Sequence, residues 1–260
     1  MQEPPIDHGR TMCAPTRPVM GITAERGNHM TFFEKFTLIF TNAKYLDSML
    51  TGLRMTLAIS VGAAVLGLIL GTIVALVGLA KSKNPLMKIP KLICALYVTV
   101  VRGTPMALQL FIMAFVVFAI RGFPLVVTAI IAFGINSGAY VSENIRGGIL
   151  SVDIGQTEAG RSLGLSSAAT MWYIVIPQAI KNVIPSIGNE LIALIKETSI
   201  VSMIGMYDLT AAAKNVGSGQ NLANYLAPMS VAALFYLAIV YLLTFIIKII
   251  EGRLRQSDRR

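Results

Sequence analysis

Residues Glu158 to Pro177 read EAGRSLGLSSAATMWYIVIP. A Glu-Ala pair is followed by Gly160, then by Gly164, and Ile174, Ile176 and Pro177 close the stretch. No charge occurs between Ser162 and Ile180, so hydropathy alone would read this segment as a membrane span. Its serines and the glycine at 164 argue instead for a loop of short helices packed on protein. The expected form is a short helix from about Asp153 to Leu163, protruding from the membrane, with a turn at Gly164. Glycine there frees the backbone to reverse under a packed helix. Glu158 then stands on the protruding helix, able to pair with a basic partner or to cap nearby backbone.

The surroundings of this stretch are those of an integral membrane protein. The mean hydropathy is +0.68 and 13% of residues are charged, where a soluble domain carries about a quarter. A net charge of +9 invites a nucleic-acid reading, but the charges are distributed otherwise. Lys81, Lys83, Lys88 and Lys91 share one short loop, and Lys248, Arg253, Arg255, Arg259 and Arg260 lie at the C-terminus. Basic clusters that flank apolar runs mark the cytoplasmic side of a membrane protein, not a nucleic-acid face. Cys13 and Cys94 read as two free thiols, without a disulfide framework or metal site. His8 and His29 both lie before residue 30, which excludes histidine chemistry inside the membrane.

Working outward, five runs approach the ~20 apolar residues that cross a bilayer. They are Met55 to Ala80, Lys88 to Ile120, Phe123 to about Leu150, Asn182 to Met206, and Ala227 to Ile247. Glycines at 62, 67, 71 and 78 in the first suggest close helix packing. Arg102-Gly103-Thr104-Pro105 interrupts the second, where a kink or break is expected. The loop 81–91, the segment 143–181 and residues 248–260 together carry twelve lysines and arginines, against two in the opposite loops. Five spans then place the N-terminus outside, and the C-terminus and the 158–177 stretch in the cytoplasm. Residues 1–29 form a polar, Pro-rich, aperiodic tail, read as not part of the native start, and residues 30–260 form one transmembrane domain. Met30 opens an amphipathic lead-in, MTFFEKFTLIF.

The spacing of the quoted stretch resembles the cytoplasmic EAA loop of binding-protein-dependent ABC importer permeases: Glu-Ala-Ala, three residues, Gly, nine residues, Ile-x-Leu-Pro. Gly160 stands for the third alanine and Ile176 for the leucine, both size-tolerant changes. Tyr140 to Ile149 (YVSENIRGGI), Arg102 to Pro105 (RGTP) and Lys196 to Ser199 (KETS) resemble further motifs of the polar amino acid group, the histidine, glutamine, arginine and opine type. The resemblance covers roughly residues 45–250. It implies an all-α polytopic fold of five transmembrane helices, that of the type I importer permeases, with the loop at about 150–177. Glu158, Ala159, Gly160 and Gly164 would belong to a coupling helix that docks in a groove of an ATP-hydrolysing subunit. It also implies a bacterial inner-membrane location, a second permease chain, homologous or identical, and an extracytoplasmic amino-acid-binding protein.

Within the spans, charged residues are expensive and default to functional candidates. Arg102 lies mid-span beside the Gly-Thr-Pro break, where backbone groups and Thr104 can meet a polar solute at membrane depth. Asn136, Tyr140 and Glu143 fall on one helix face. A zwitterion needs a cation for its carboxylate and an anion for its ammonium, and Arg102 and Glu143 suit these roles. The alternative is a structural salt bridge from Arg102 to Glu143 or Glu197. Glu190, Lys196 and Glu197 make the fourth span the least apolar; Lys196 and Glu197 are candidates for the path, and Glu190 receives no role.

No nucleotide-binding loop occurs: Ala80-Lys81-Ser82 lacks the glycine before the lysine. ATP and Mg are therefore expected on a partner subunit, the permease holding no cofactor and doing no catalysis. A membrane enzyme is disfavoured because the serines lack a convincing base. An ion-coupled secondary transporter, with Glu143 or Glu197 carrying protons, remains the alternative, although five spans are few for it and the 158–177 stretch would go unexplained.

Overall fold

The computed structural model describes residues 30–80, 85–219, 222 and 224–256; the tail 1–29, and Cys13 with it, falls outside the described residues. Ten α-helices follow in order among the described residues. The first, α1 (Phe32–Thr41), is the expected lead-in, capped by Thr31 and Glu34, each accepting from the other's backbone amide. Asn42 ends it and caps α2 (Ala43–Leu79). The first span therefore starts at Ala43 rather than Met55, because Lys44, Asp47 and Arg54 lower the hydropathy without breaking the helix.

The interrupted span is α3 (Lys88–Arg102) and α4 (Met106–Ile112), the latter continued by a π-turn, Met113–Val117. The two parts bend by 109°. Gly103 closes α3 and Pro105, which has no amide hydrogen to give, opens α4. Helix α5 (Leu125–Leu150) ends one turn before α6 (Ile154–Ser162). A single turn, α7 (Ser167–Thr170), and a second π-turn, Met171–Val175, lead into α8 (Ile176–Glu197). After a 3-10 segment, Thr198–Ile204, come α9 (Leu209–Ser218) and α10 (Leu226–Gln256).

Helices α2, α5 and α10 are long and apolar enough to cross a membrane by themselves, and the bent pair α3–α4 counts as a broken span. The expected fourth span corresponds to α8 and the 3-10 segment; its charges, together with the amides of Gln178, Asn182 and Asn189, keep its hydropathy below that measure. The glycine-rich face of α2 lies against α5. A Cβ on Gly67 would stand 2.8 Å from Ser137 Cβ, and one on Gly71 2.7 Å from Val141 Cβ. These glycines let two backbones approach, as expected; Gly62 meets Ile130 in the same way, whereas Gly78 touches nothing. One apolar core, with Phe133 its largest fully buried side chain, joins α2, α4, α5, α8 and the 3-10 segment. A second joins α1 and the start of α2 to α9 and the start of α10.

Candidate functional site

Two constellations gather the candidate residues. The first lies where α2, α3 and α5 meet around a cavity of about 450 Å³, lined by Lys91, Cys94, Arg102, Ser142, Glu143 and Arg146 among others. Glu143 and Arg146 stand one turn apart on α5 and close a two-pronged pair, Nε to Oε1 at 3.0 Å and Nη2 to Oε2 at 2.8 Å. Arg102, at the end of α3, sets Nη1 3.6 Å from Glu143 Oε2 and places its guanidinium 5.4 Å from the centre of the Tyr140 ring. The Arg102 side chain is 44% exposed and faces the cavity. Tyr140, Glu143 and Arg102 are thus brought together; two cations (Arg102, Arg146) stand at one carboxylate, and a third, Lys91, shares the cavity wall. Lys91 is committed in part, since its ammonium donates to the Ala80 carbonyl at the end of α2.

Thr104 and Asn136 belong to a different network. The Gln109 amide donates to the carbonyls of Val101 (2.8 Å) and Thr104 (3.1 Å) and to Thr104 Oγ1 (2.7 Å). The Thr104 hydroxyl reaches back to the Val100 carbonyl, 2.9 Å away. On its other side Gln109 accepts from Asn136 Nδ2, 3.0 Å away. The backbone groups freed by the break are therefore met by Gln109, a residue that the sequence reading passed over. Asn136 is buried in this contact rather than turned to the cavity of Arg102. Lys196 and Glu197 are exposed on the last turn of α8 and do not line that cavity.

The second constellation is α6. Asp153 caps its start, Oδ1 accepting from the Gly155 amide at 2.7 Å. Its end is a two-bond reversal: the Leu165 amide donates to the Gly160 carbonyl and the Gly164 amide to the Arg161 carbonyl, with Gly164 at φ +85°. The helix thus spans Ile154–Ser162 with the turn at Gly164, as the sequence indicated. Glu158 and Ala159 are exposed, and Gly160 is buried. A Cβ on Gly160 would stand 2.8 Å from both Thr170 Cγ2 and Ile174 Cδ1. Here the glycine is not a size-tolerant exchange for alanine: Thr170, a stiff β-branched side chain, and Ile174 occupy the space. Gln178 Nε2 donates to Gln156 Oε1 (3.2 Å) and Asn182 Nδ2 to Ser151 Oγ (2.9 Å). These bonds tie α6, and the end of α5 before it, to α8.

Residues 67–256 match the family described as "Binding-protein-dependent transport system inner membrane component". The chain is similar to the arginine transport system permease protein ArtQ of Bacillus subtilis (strain 168), with 41% identity across 80% of this chain and 93% of that protein. It is also similar to the L-cystine transport system permease protein TcyB of the same organism, with 37% identity across 78% of this chain and 85% of that one. Among solved structures, a crystal structure of an amino acid ABC transporter with histidines superposes with a TM-score of 0.75 and 37% identity, covering 83% of this chain and 98% of that one.

Proposed function

Because this chain belongs to the family of binding-protein-dependent transport system inner membrane components, a family of transport permeases rather than enzymes, we propose that it carries polar amino acids inward through the plasma membrane of a bacterium. A separate ATPase subunit holds ATP and Mg and supplies the energy. A separate extracytoplasmic protein delivers the solute, and a second permease chain completes the path. The N-terminus lies outside and the C-terminus inside, a reading supported by the basic loop 81–91 and the basic C-terminus. No role for nucleic acid is proposed.

The observation that carries this reading is α6: a short exposed helix, closed at both ends by its own hydrogen bonds and tied to α8 through Gln156. A solvated connection between two spans needs none of this construction. Glu158, Ala159, Gly160 and Gly164 form the coupling element that meets the ATPase. Arg102, beside Tyr140 and the cavity, receives the solute's carboxylate as a planar fork. Thr104 and Asn136 act through Gln109 on the break, and Lys196 and Glu197 face the path from α8.

The test is reconstitution of the chain with its ATPase subunit and binding protein in liposomes. ATP-dependent accumulation of a labelled amino acid is the expected result. Uptake by the purified chain alone, driven by an ion gradient, would establish a secondary transporter and overturn the reading.

A further inference from the structure

We propose that Gln109 is the positioning residue for Arg102: its side-chain amide holds the end of α3 so that the guanidinium stands ready for a carboxylate, and through that hold it sets the preference of the permease for solutes that carry one. The inference rests on the reading of Arg102 as the group that receives the solute's carboxylate. A helix ends on carbonyls that have no amide of the next turn to meet them. At the end of α3 side chains take that place. The Val100 carbonyl accepts from the Thr104 hydroxyl at 2.9 Å. The Val101 carbonyl lies four residues before Pro105, whose amide hydrogen would meet it in a continuing helix and is missing from proline. Gln109 Nε2 donates there instead, at 2.8 Å.

The same nitrogen reaches the Thr104 carbonyl at 3.1 Å and Thr104 Oγ1 at 2.7 Å. One side chain therefore holds the peptide just before Arg102 and the residue just beyond Gly103, across a bend of 109°. The Val101 carbonyl can only accept, so the nitrogen of the amide faces it. The amide oxygen then faces α5, where Asn136 Nδ2 donates to it at 3.0 Å. Asn136 is 4% exposed, so the hold is anchored on a buried residue of another helix. Gln109 lines a separate cavity of about 230 Å³ with Val100, Val101 and Thr104, whereas Arg102 faces the larger cavity with Val98 and Thr99. Its action on Arg102 therefore passes through the backbone. A long side chain magnifies a small rotation at its root, and a binding group needs supports that hold it within about 0.5 Å. Glu143 gives the error a direction. Its Oε2 stands 3.6 Å from Arg102 Nη1, longer than a hydrogen bond. Released from Gln109, the end of α3 can settle onto Glu143 and withdraw the guanidinium from the solute.

The probe is the common amino acid that the wild-type complex with its binding protein takes up fastest. The measurement is its equilibrium binding to the purified permease–ATPase complex without binding protein, competed by the unlabelled amino acid and by its amide, whose carboxamide keeps the shape and removes the charge. The wild-type complex should prefer the acid roughly 10- to 100-fold, the effect of a hydrogen-bonded charge, and Arg102→Ala should lose that preference. Gln109→Met keeps the length of the side chain and removes its hydrogen bonds. It should lower the preference at least ~5-fold while binding of the amide stays within ~2-fold. A role confined to stability weakens acid and amide together and leaves their ratio unchanged; that result, or wild-type binding of both, overturns the proposal. If Gln109→Met fails to assemble, Gln109→Asn, which keeps the amide on a side chain shorter by one methylene, decides by the same ratio, and an unchanged ratio overturns the proposal. Loss of the preference in Arg102→Ala but not in Gln109→Met defeats the positioning role alone. Arg102→Ala that keeps the preference, or a transporting wild-type complex that binds neither compound or does not distinguish them, defeats the carboxylate reading of Arg102 and the positioning role with it. A wild-type complex that takes up no amino acid defeats the underlying importer reading instead.

Discussion

Gly164 and Arg102 carry the two functional readings at the scale of single residues. At φ +85° a β-branched side chain is a backbone outlier costing on the order of 1–3 kcal/mol. That strain falls on the turn that ends α6, so Gly164→Val should displace the coupling helix without preventing membrane insertion. ATP-driven uptake should fall at least ~10-fold, about the lower end of that strain; uptake and ATPase stimulation at wild-type levels would remove α6 from the coupling role. Arg102 stands between two explanations, solute contact and salt bridge, and Arg146 helps to separate them. Because Arg146 holds Glu143 by two hydrogen bonds, removing Arg102 leaves no orphan carboxylate, and gross misassembly is not expected. Arg102→Ala should therefore abolish uptake while the ATPase subunits still bind, and Arg102→Lys should keep only part of it, a point charge replacing a fork. Restoration of uptake in Arg102→Ala combined with Glu143→Gln would favour the salt bridge.

At the scale of elements, the broken span and the short helix α9 each depend on one side chain that closes the backbone. Gln109→Ala removes four hydrogen bonds around the break and leaves Asn136 buried without its partner. It should cost ~1–3 kcal/mol, read as a lower unfolding temperature in detergent, whereas Gln109→Glu should keep the shape but lose the donations. Asp208 lies in the connection between α8 and α10 and caps α9, accepting from the amides of Thr210 (3.0 Å) and Ala211 (2.9 Å). Burial pushes its carboxyl above the ordinary range, against the opposing pull of those amides. The folded chain therefore keeps this proton to higher pH than the unfolded chain. Its contribution to stability is greatest below the unfolded carboxylate range and declines as pH rises through the raised folded value. Asp208→Asn, an equally good cap, should flatten that decline, and Asp208→Ala should cost ~0.5–2 kcal/mol at the acid end, where the contribution is greatest; unfolding temperatures from about pH 4 to about pH 8, upward from the ordinary carboxylate value, check both. The bounds of α6 and the break at Gly103-Thr104-Pro105 were legible in sequence, because Asp, Gly and Pro act on their own backbone. Gln109 was not. Its role arises from its contact with Asn136 on another helix, and no local pattern encodes which residue will lie opposite. The early start of α2 and the short helix α9 were missed because hydropathy falls where charged or small residues continue a helix.

At the scale of the molecule, the charges left on open surfaces say how many chains are needed. Arg102 is 44% exposed beside a cavity bounded by α2, α3 and α5 of this chain, and Lys196 and Glu197 are exposed on α8. Lipid against these side chains would cost roughly 2.5–3.5 kcal/mol for each charge near the bilayer centre. The exposed leucines, valines and isoleucines of α2, α3 and α10 suit lipid, but these polar sites require water or protein. A bundle of about five crossing segments is too small to wrap a polar path, so on the proposed reading a second copy or a homologue would supply the missing wall, by the two-fold arrangement most common among oligomers. The same symmetry would present two α6 helices to two ATPase subunits. Native mass spectrometry of the active complex should therefore find two permease chains, each of 28.0 kDa if both are this one. Cysteines placed at 196 or 197 in a Cys13→Ser, Cys94→Ser background should cross-link between the chains or react with water-soluble thiol reagents, as residues facing a partner or a wet path must. A fully active complex with a single permease chain, or cysteines at both positions reached only by lipid-soluble reagents, would show that one chain encloses the path by itself.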